Sequence, residues 1–212
     1  VTSTPSPINS ETLVLGVLGG IASGKSAVAK ALAGEAGLVI CADSIARETL
    51  NSPAVARKIS GEFGPEFLDA AGLPDRERLA TQVFGNSESR NLLESWIHPL
   101  VRERILSELA EAKLEGCPRV VLDIPLLLEN DAKHGFVKLC DVLLFIEVPA
   151  NVRERRAVAN RGWAPSEVAR REAAQLPLDE KRARADFIIP NDGDLEQLSR
   201  EVERVLTQIQ GR

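Results

Sequence analysis

At 212 residues the chain is long enough for one globular unit with an insertion and too short for two large independent domains. Apolar residues at 44% and charged residues at 27% lie near the averages for folded domains and exclude an intrinsically disordered chain. Lys plus Arg total 26 against 31 for Asp plus Glu, a net charge of -5. That balance argues against wrapping nucleic acid by bulk charge, so phosphate binding has to be local.

In chain order, residues 1–12 begin VTSTPSPINSE, with neither a basic start nor an apolar run. They read as a flexible leader rather than a signal peptide. The longest uncharged apolar stretch, Leu13 to Ala22, has ten residues, well short of the ~20 that a bilayer requires, so no membrane span is expected. Leu13 to Leu18 reads as a first strand, followed by a helix from Lys25 to Ala36 stopped by Gly37 and a second strand from Leu38 to Cys41. From about Ser44 to Gly116 no convincing strand occurs. Breaks fall at Pro53, Gly64-Pro65, Gly72 and Pro99, and a helix runs from Ser87 to Ile97 until Pro99 interrupts it; this stretch is expected to be a helical insertion. Arg119 to Asp123 and Val142 to Glu147 supply the third and fourth strands. Asn151 to Ala185 then carries eight of the 19 Arg, the composition of a mobile helical flap. Phe187 to Ile189 is the fifth strand, and a helix from Asp194 to Gln210 closes the chain, with Asp194 and Gln197 at capping-box spacing. The strands are continuous apolar runs (VVL, VLLFI) rather than alternating ones, the pattern of strands covered on both faces, so an α/β fold with a parallel sheet is expected. Cys41, Cys117 and Cys140 are odd in number and form no CxxC pair, which fits a cytoplasmic protein with free thiols.

The segment Gly19-Gly20-Ile21-Ala22-Ser23-Gly24-Lys25-Ser26 satisfies G-x-x-x-x-G-K-[ST] between an apolar strand and an amphipathic helix. In that setting the N–H groups from Gly20 to Ala27 converge on a phosphate, Lys25 reaches the β- and γ-phosphates, and the Ser26 hydroxyl ligates Mg²⁺. The plainer alternative is a Gly-rich turn with an exposed lysine. Asp43 follows the second strand by two residues, where it serves either as the base for an acceptor hydroxyl or as the cap of a short helix starting at Ser44. Asp123 ends RVVLD, where an acidic group reaches Mg²⁺ through its hydration shell or caps the strand end. The flap arginines either neutralise transferring phosphoryl oxygens or are solvated and paired with Glu154, Glu167, Glu172 and Glu180. His98 contacts a substrate phosphate or is structural. Trp96 and Trp163 are packing residues, Trp163 with the option of lying against a base.

Taken in order, GVLGGIASGKS, CADSIAR, IHPLV, LDIPLLLE, AAQLPLDEKRARAD and FIIPNDG resemble the dephospho-CoA kinase family over nearly the whole chain from Leu13 onward. The resemblance implies a three-layer α/β/α P-loop kinase with a five-stranded parallel sheet. Its parts are a core (residues 13–43, 117–150 and 186–212), a helical region for the CoA moiety (44–116) and an Arg-rich lid (151–185). ATP with Mg²⁺ is the implied donor and the ribose 3′-hydroxyl of dephospho-CoA the implied acceptor; no nucleic acid, membrane or obligate protein partner is implied.

Residue by residue, Gly24, Lys25 and Ser26 match the family's phosphate loop, Asp43 matches its catalytic aspartate with Arg47 just after it, and Asn191 matches the residue beside the ATP adenine. Arg155 matches the lid arginine by its distance from Pro149, with Arg161 next, and the run RERR leaves this register open by one residue. Pro125, Leu126, Leu127 and Glu129 match a segment lining the acceptor site. The family commonly has Thr where Leu18 stands, Gly where Ala22 stands and a second Asp where Cys41 stands. Two other readings are a P-loop kinase with a different acceptor and a nucleotide-controlled binding switch, the latter disfavoured because no N-K-x-D motif is present.

Overall fold

Parallel pairing demands strands that are apolar on both faces, and the five β-branched and aliphatic runs satisfy it. In the computed structural model, which describes residues 11–211, β1 (Leu13–Gly19), β2 (Leu38–Cys41), β3 (Arg119–Asp123), β4 (Val142–Glu147) and β5 (Phe187–Pro190) form one all-parallel sheet in the order β2-β3-β1-β4-β5. The register sets Cys41 opposite Asp123 and Gly19 opposite Ile146. β1 is therefore flanked by β3 and β4, and the loop leaving its carboxyl end emerges where ligands of open α/β sheets bind. The expected leader lies outside the described residues except for Glu11 and Thr12, and Thr12 is already buried.

The chain divides into two compact units, one of residues 1–41 and 109–212 and the other Ala42–Glu108. In the first, α1 (Lys25–Ala33) and α10 (Leu195–Gln210) cover one sheet face, where Val28, Leu32, Leu198, Val202 and Val205 pack on Leu15, Val17, Leu144 and Ile146. On the other face Gly16 admits its neighbours closely: a Cβ there would stand 2.8 Å from Cys140 Sγ and 3.1 Å from Leu127 Cδ2. Burial, helped by Asp141 and Asp131, pushes the Cys140 thiol up to about 12, so it behaves as a small hydrophobe rather than a nucleophile.

The second unit holds α2 (Ala42–Leu50), α3 (Pro53–Phe63), α4 (Arg76–Gly85) and most of α5 (Ser87–Leu114). Its own core gathers Val55, Ile59 and Leu79 with Phe63, Phe67 and Trp96 around them, so Trp96 is a packing residue. Ser52 and Asp75 cap α3 and α4 through their side chains. The remaining helices of the first unit are α6 (Asp131–His134), α7 (Ala150–Arg161), α8 (Pro165–Glu172) and α9 (Leu178–Ala183). No helix among the described residues is long and apolar enough to cross a membrane.

Three sequence expectations are corrected. The first helix ends at Ala33, not Ala36, because Gly34 turns to φ 63 and returns its N–H to Lys30 O at 3.0 Å. The helix expected to stop before Pro99 continues through it to Leu114; Pro99 is exposed, so water meets the carbonyl whose partner N–H the ring removes. Finally, α2 begins at Ala42, which places Asp43 inside its first turn rather than at its cap.

Candidate active site

β1 passes into α1 through two left-handed residues, Ala22 at φ 56 and Gly24 at φ 81. Gly24 is the N-cap and has no side chain to offer, so the first N–H groups of α1 stay open to an anion. Only glycine fits there: a Cβ would stand 2.5 Å from Asn191 Nδ2. Asn191 is buried, donating its side-chain amide to Ser23 O at 2.8 Å and its backbone N–H to Glu147 O at 2.9 Å. It braces the loop from behind. Ala22 adopts its left-handed turn at a steric cost that glycine escapes, so Ala22→Gly is expected to stabilise the protein by about 1 kcal/mol, read as a higher denaturant midpoint at unchanged slope.

Lys25 Nζ folds back over the loop, donating to Gly19 O at 3.2 Å and Gly20 O at 3.0 Å. Burial pushes its ammonium down to about 8; Asp123 and Glu129 work against that shift, while Lys181 and Arg161 add to it. The Ser26 hydroxyl donates to Asp123 Oδ2 at 2.6 Å, and Asp123, at the end of β3, is buried. Cys41 sits in register with that buried carboxylate, and a second acid there would repel it.

From the other side, Arg153 is 4% exposed, donates Nε to Val148 O at 3.2 Å and pairs through Nη1 with Glu172. The same Glu172 oxygen accepts from the Ile21 N–H at 3.3 Å. Arg156 donates Nη1 to Asn191 O at 2.8 Å and lies 3.9 Å from a Cβ built at Gly24. Trp163 packs with Ile21, Ala157 and Val168, and the guanidiniums of Arg161 and Arg171 lie over its ring at 4.8 Å and 4.2 Å. After β3, Glu129 pairs with the buried Lys181 at 2.7 Å and accepts from Leu176 N at 3.2 Å, while Lys181 also donates to Gln175 at 3.0 Å.

The sequence model of the family described as dephospho-CoA kinase matches residues 13–197. The chain belongs to the dephospho-CoA kinase family. It is 41% identical over 202 residues to the dephospho-CoA kinase of Thermobifida fusca, covering 94% of this chain and 98% of that protein. Among solved structures, TT1252 from Thermus thermophilus aligns with a TM-score of 0.73 at 34% identity, covering 93% of this chain and 98% of that one. The dephospho-CoA kinase from Campylobacter jejuni aligns with a TM-score of 0.68 at 27% identity, over 93% and 97% of the two chains.

Set against the family's pattern, the expected site residues separate. Gly20 to Ala27, Asp123 and Asn191 gather at one loop. Arg155 is exposed and makes no hydrogen bond or ion pair among the described residues; the side chains that meet the loop are those of Arg153 and Arg156. Arg161 lies close enough to Lys25 to act on its charge. Leu127 is 2% exposed and packs against Gly16, whereas Pro125 is exposed and Leu126 and Glu129 are half-buried. Leu126 is held at φ 55, a strained conformation for a branched side chain.

In the second unit Asp43 and Arg47 are both exposed on α2, with Arg47 Nε donating to the Asp43 backbone carbonyl at 3.2 Å. The Asp43 carboxylate accepts no hydrogen bond among the described residues. His98 is exposed on α5. Sequence reasoning missed Arg153 and Lys181 as neighbours of the loop and took Glu172 only as a general ion-pair partner. The one signal for Arg153 and Arg156 is their spacing from Ala157, which puts all three on one helical face.

Proposed function

We propose that the chain transfers the γ-phosphoryl group of ATP to the ribose 3′-hydroxyl of dephospho-CoA, giving CoA and ADP. The observation that carries this reading is the glycine loop with Lys25 over it and Ser26 bonded to Asp123 at 2.6 Å, in a chain of this family. Phosphoryl transfer asks the protein mainly for positioning and charge. The loop and α1 N–H groups would hold the β-phosphate, Lys25 would swing from its own loop carbonyls to the β- and γ-oxygens, and Asn191 keeps the loop rigid beneath them.

The donor set fits Mg²⁺: a hydroxyl and a carboxylate, both hard oxygens, so Ser26 and Asp123 are the residues that would hold it. The chemistry that Mg²⁺ would supply when held there is neutralisation of charge on the transferring phosphoryl group. Arg156 takes the part first given to Arg155, one residue along the helix, with Arg161 beside it. Arg47, His98, Pro125, Leu126 and Glu129 remain the side chains proposed to receive the acceptor. Three free thiols suit the reducing cytoplasm.

Asp43 is the proposed base. Its carboxylate follows the carboxyl end of β2 by two residues and has no internal partner, as a group awaiting a substrate hydroxyl should. Asp43→Asn is expected to lower kcat by ~10² with little change in ATP affinity, because the amide keeps the shape and loses the basicity. A loss below threefold would return Asp43 to a structural role. The function itself is tested by ADP release with dephospho-CoA, AMP, CMP and shikimate in parallel. Turnover confined to dephospho-CoA supports the assignment, and a preference for any other acceptor overturns it.

A further inference from the structure

One oxygen of Glu172 is claimed twice, by the buried guanidinium of Arg153 and by the backbone N–H of Ile21 in the phosphate loop at 3.3 Å. The contact is built in. A Cβ at Gly20 would stand 2.7 Å from Arg153 Nη1 and 3.0 Å from Glu172 Oε1, so only glycine lets this pair lie on the loop. Ile21 is itself gripped by Ala157, Val168 and Trp163, which fixes its N–H against the end of α8. Arg153 cannot leave, since Val148 O holds its Nε in the interior; Glu172 is a quarter exposed and can. A carboxylate oxygen on a loop N–H, with a guanidinium behind it, reproduces the charge and hydrogen bonds that a phosphate oxygen meets in such a loop.

We propose that Glu172 is an internal stand-in for a nucleotide phosphate. It holds the Ile21 N–H and neutralises Arg153 until a nucleotide binds, and the incoming phosphate, which repels it, takes over both partners. Glu172 is thereby a positioning residue: it keeps the loop and Arg153 set for phosphate, at the cost of competing with it. The proposal rests on the phosphate-loop reading above.

The test is calorimetric titration of the full chain with ADP and with adenosine. Glu172→Gln keeps the shape and removes the charge, and it is expected to tighten ADP binding about tenfold while leaving adenosine unchanged. Arg153→Gln should weaken ADP binding by about the same factor. Unchanged or weaker ADP binding by Glu172→Gln, with a lowered melting temperature, would mean a plain structural ion pair and overturn the proposal. A wild-type measurement guards against a variant that does not fold: the Glu172 carboxyl carbon and Ile21 amide resonances should shift together as ADP is added, and a Glu172 signal that stays still sinks the idea. Should the wild type bind no ADP at all, the phosphate-loop reading falls and this proposal falls with it; if it does bind and Glu172→Gln matches it, only this proposal is lost.

Discussion

Lys25→Ala is expected to reduce kcat by ~10³ or more without unfolding the protein. The substitution removes the cation that would neutralise the β- and γ-oxygens, and Lys25 opens α1 over the loop without joining the apolar core. Its pKa sharpens the prediction. Burial holds the ammonium at about 8 against an ordinary 10.5, so below pH 8 the folded state carries a charge that it solvates poorly, a cost of at most about 3 kcal/mol. Between pH 8 and 10.5 the unfolded chain binds the extra proton, and the contribution of Lys25 to stability therefore rises with pH across that window. Lys25→Ala should abolish this rise and melt no lower than the wild type at pH 7, although it is inactive. Substantial turnover in a well-folded Lys25→Ala protein would falsify the phosphate-loop assignment.

Arg156→Ala is expected to lower kcat by ~10² to 10³ with a modest effect on ATP binding, because a guanidinium facing the transferring oxygens helps the transition state more than the ground state. Among the described residues only one of its N–H groups is engaged, with Asn191 O, which leaves the rest of the fork for phosphate. Arg156→Lys should recover part of the loss, since a point charge cannot bridge two oxygens. Arg155→Ala and Arg170→Ala serve as controls and should each change kcat less than threefold. Arg155 is exposed, and Arg170 is engaged with Glu167 on the surface at 2.8 Å. Measured at saturating ATP and dephospho-CoA, a crippled Arg155→Ala beside a silent Arg156→Ala would restore the original register.

What could be read directly from the chain was encoded locally. The apolar runs specify five strands because parallel pairing buries both faces of each, and all five expected strands start and end within one residue of the structure, with Leu38–Cys41, Arg119–Asp123 and Val142–Glu147 matching at both ends. The loop was legible for the same reason: its backbone chemistry is written in eight consecutive residues, and even the departure at Ala22 could be named before its left-handed φ was known.

Side-chain partnerships were not legible, because they depend on which face of a helix turns inward. In the run Arg153-Glu154-Arg155-Arg156, successive residues point about 100° apart around α7, so the packing of Ala157 and Ile21 carries Arg153 and Arg156 toward the loop and sends Arg155 to solvent. Spacing from Pro149 could not decide among them. Glu172 meets Ile21 across 151 positions of sequence, and Glu129 meets Lys181 across α7 and α8. By itself the sequence determined the strands, the loop and the family, since each rests on neighbours along the chain, while the order β2-β3-β1-β4-β5 came only with the tertiary structure. Which arginines of α7 face the glycine loop was decided only by tertiary packing, since burial of a helix's apolar face sets the direction of every polar side chain around it.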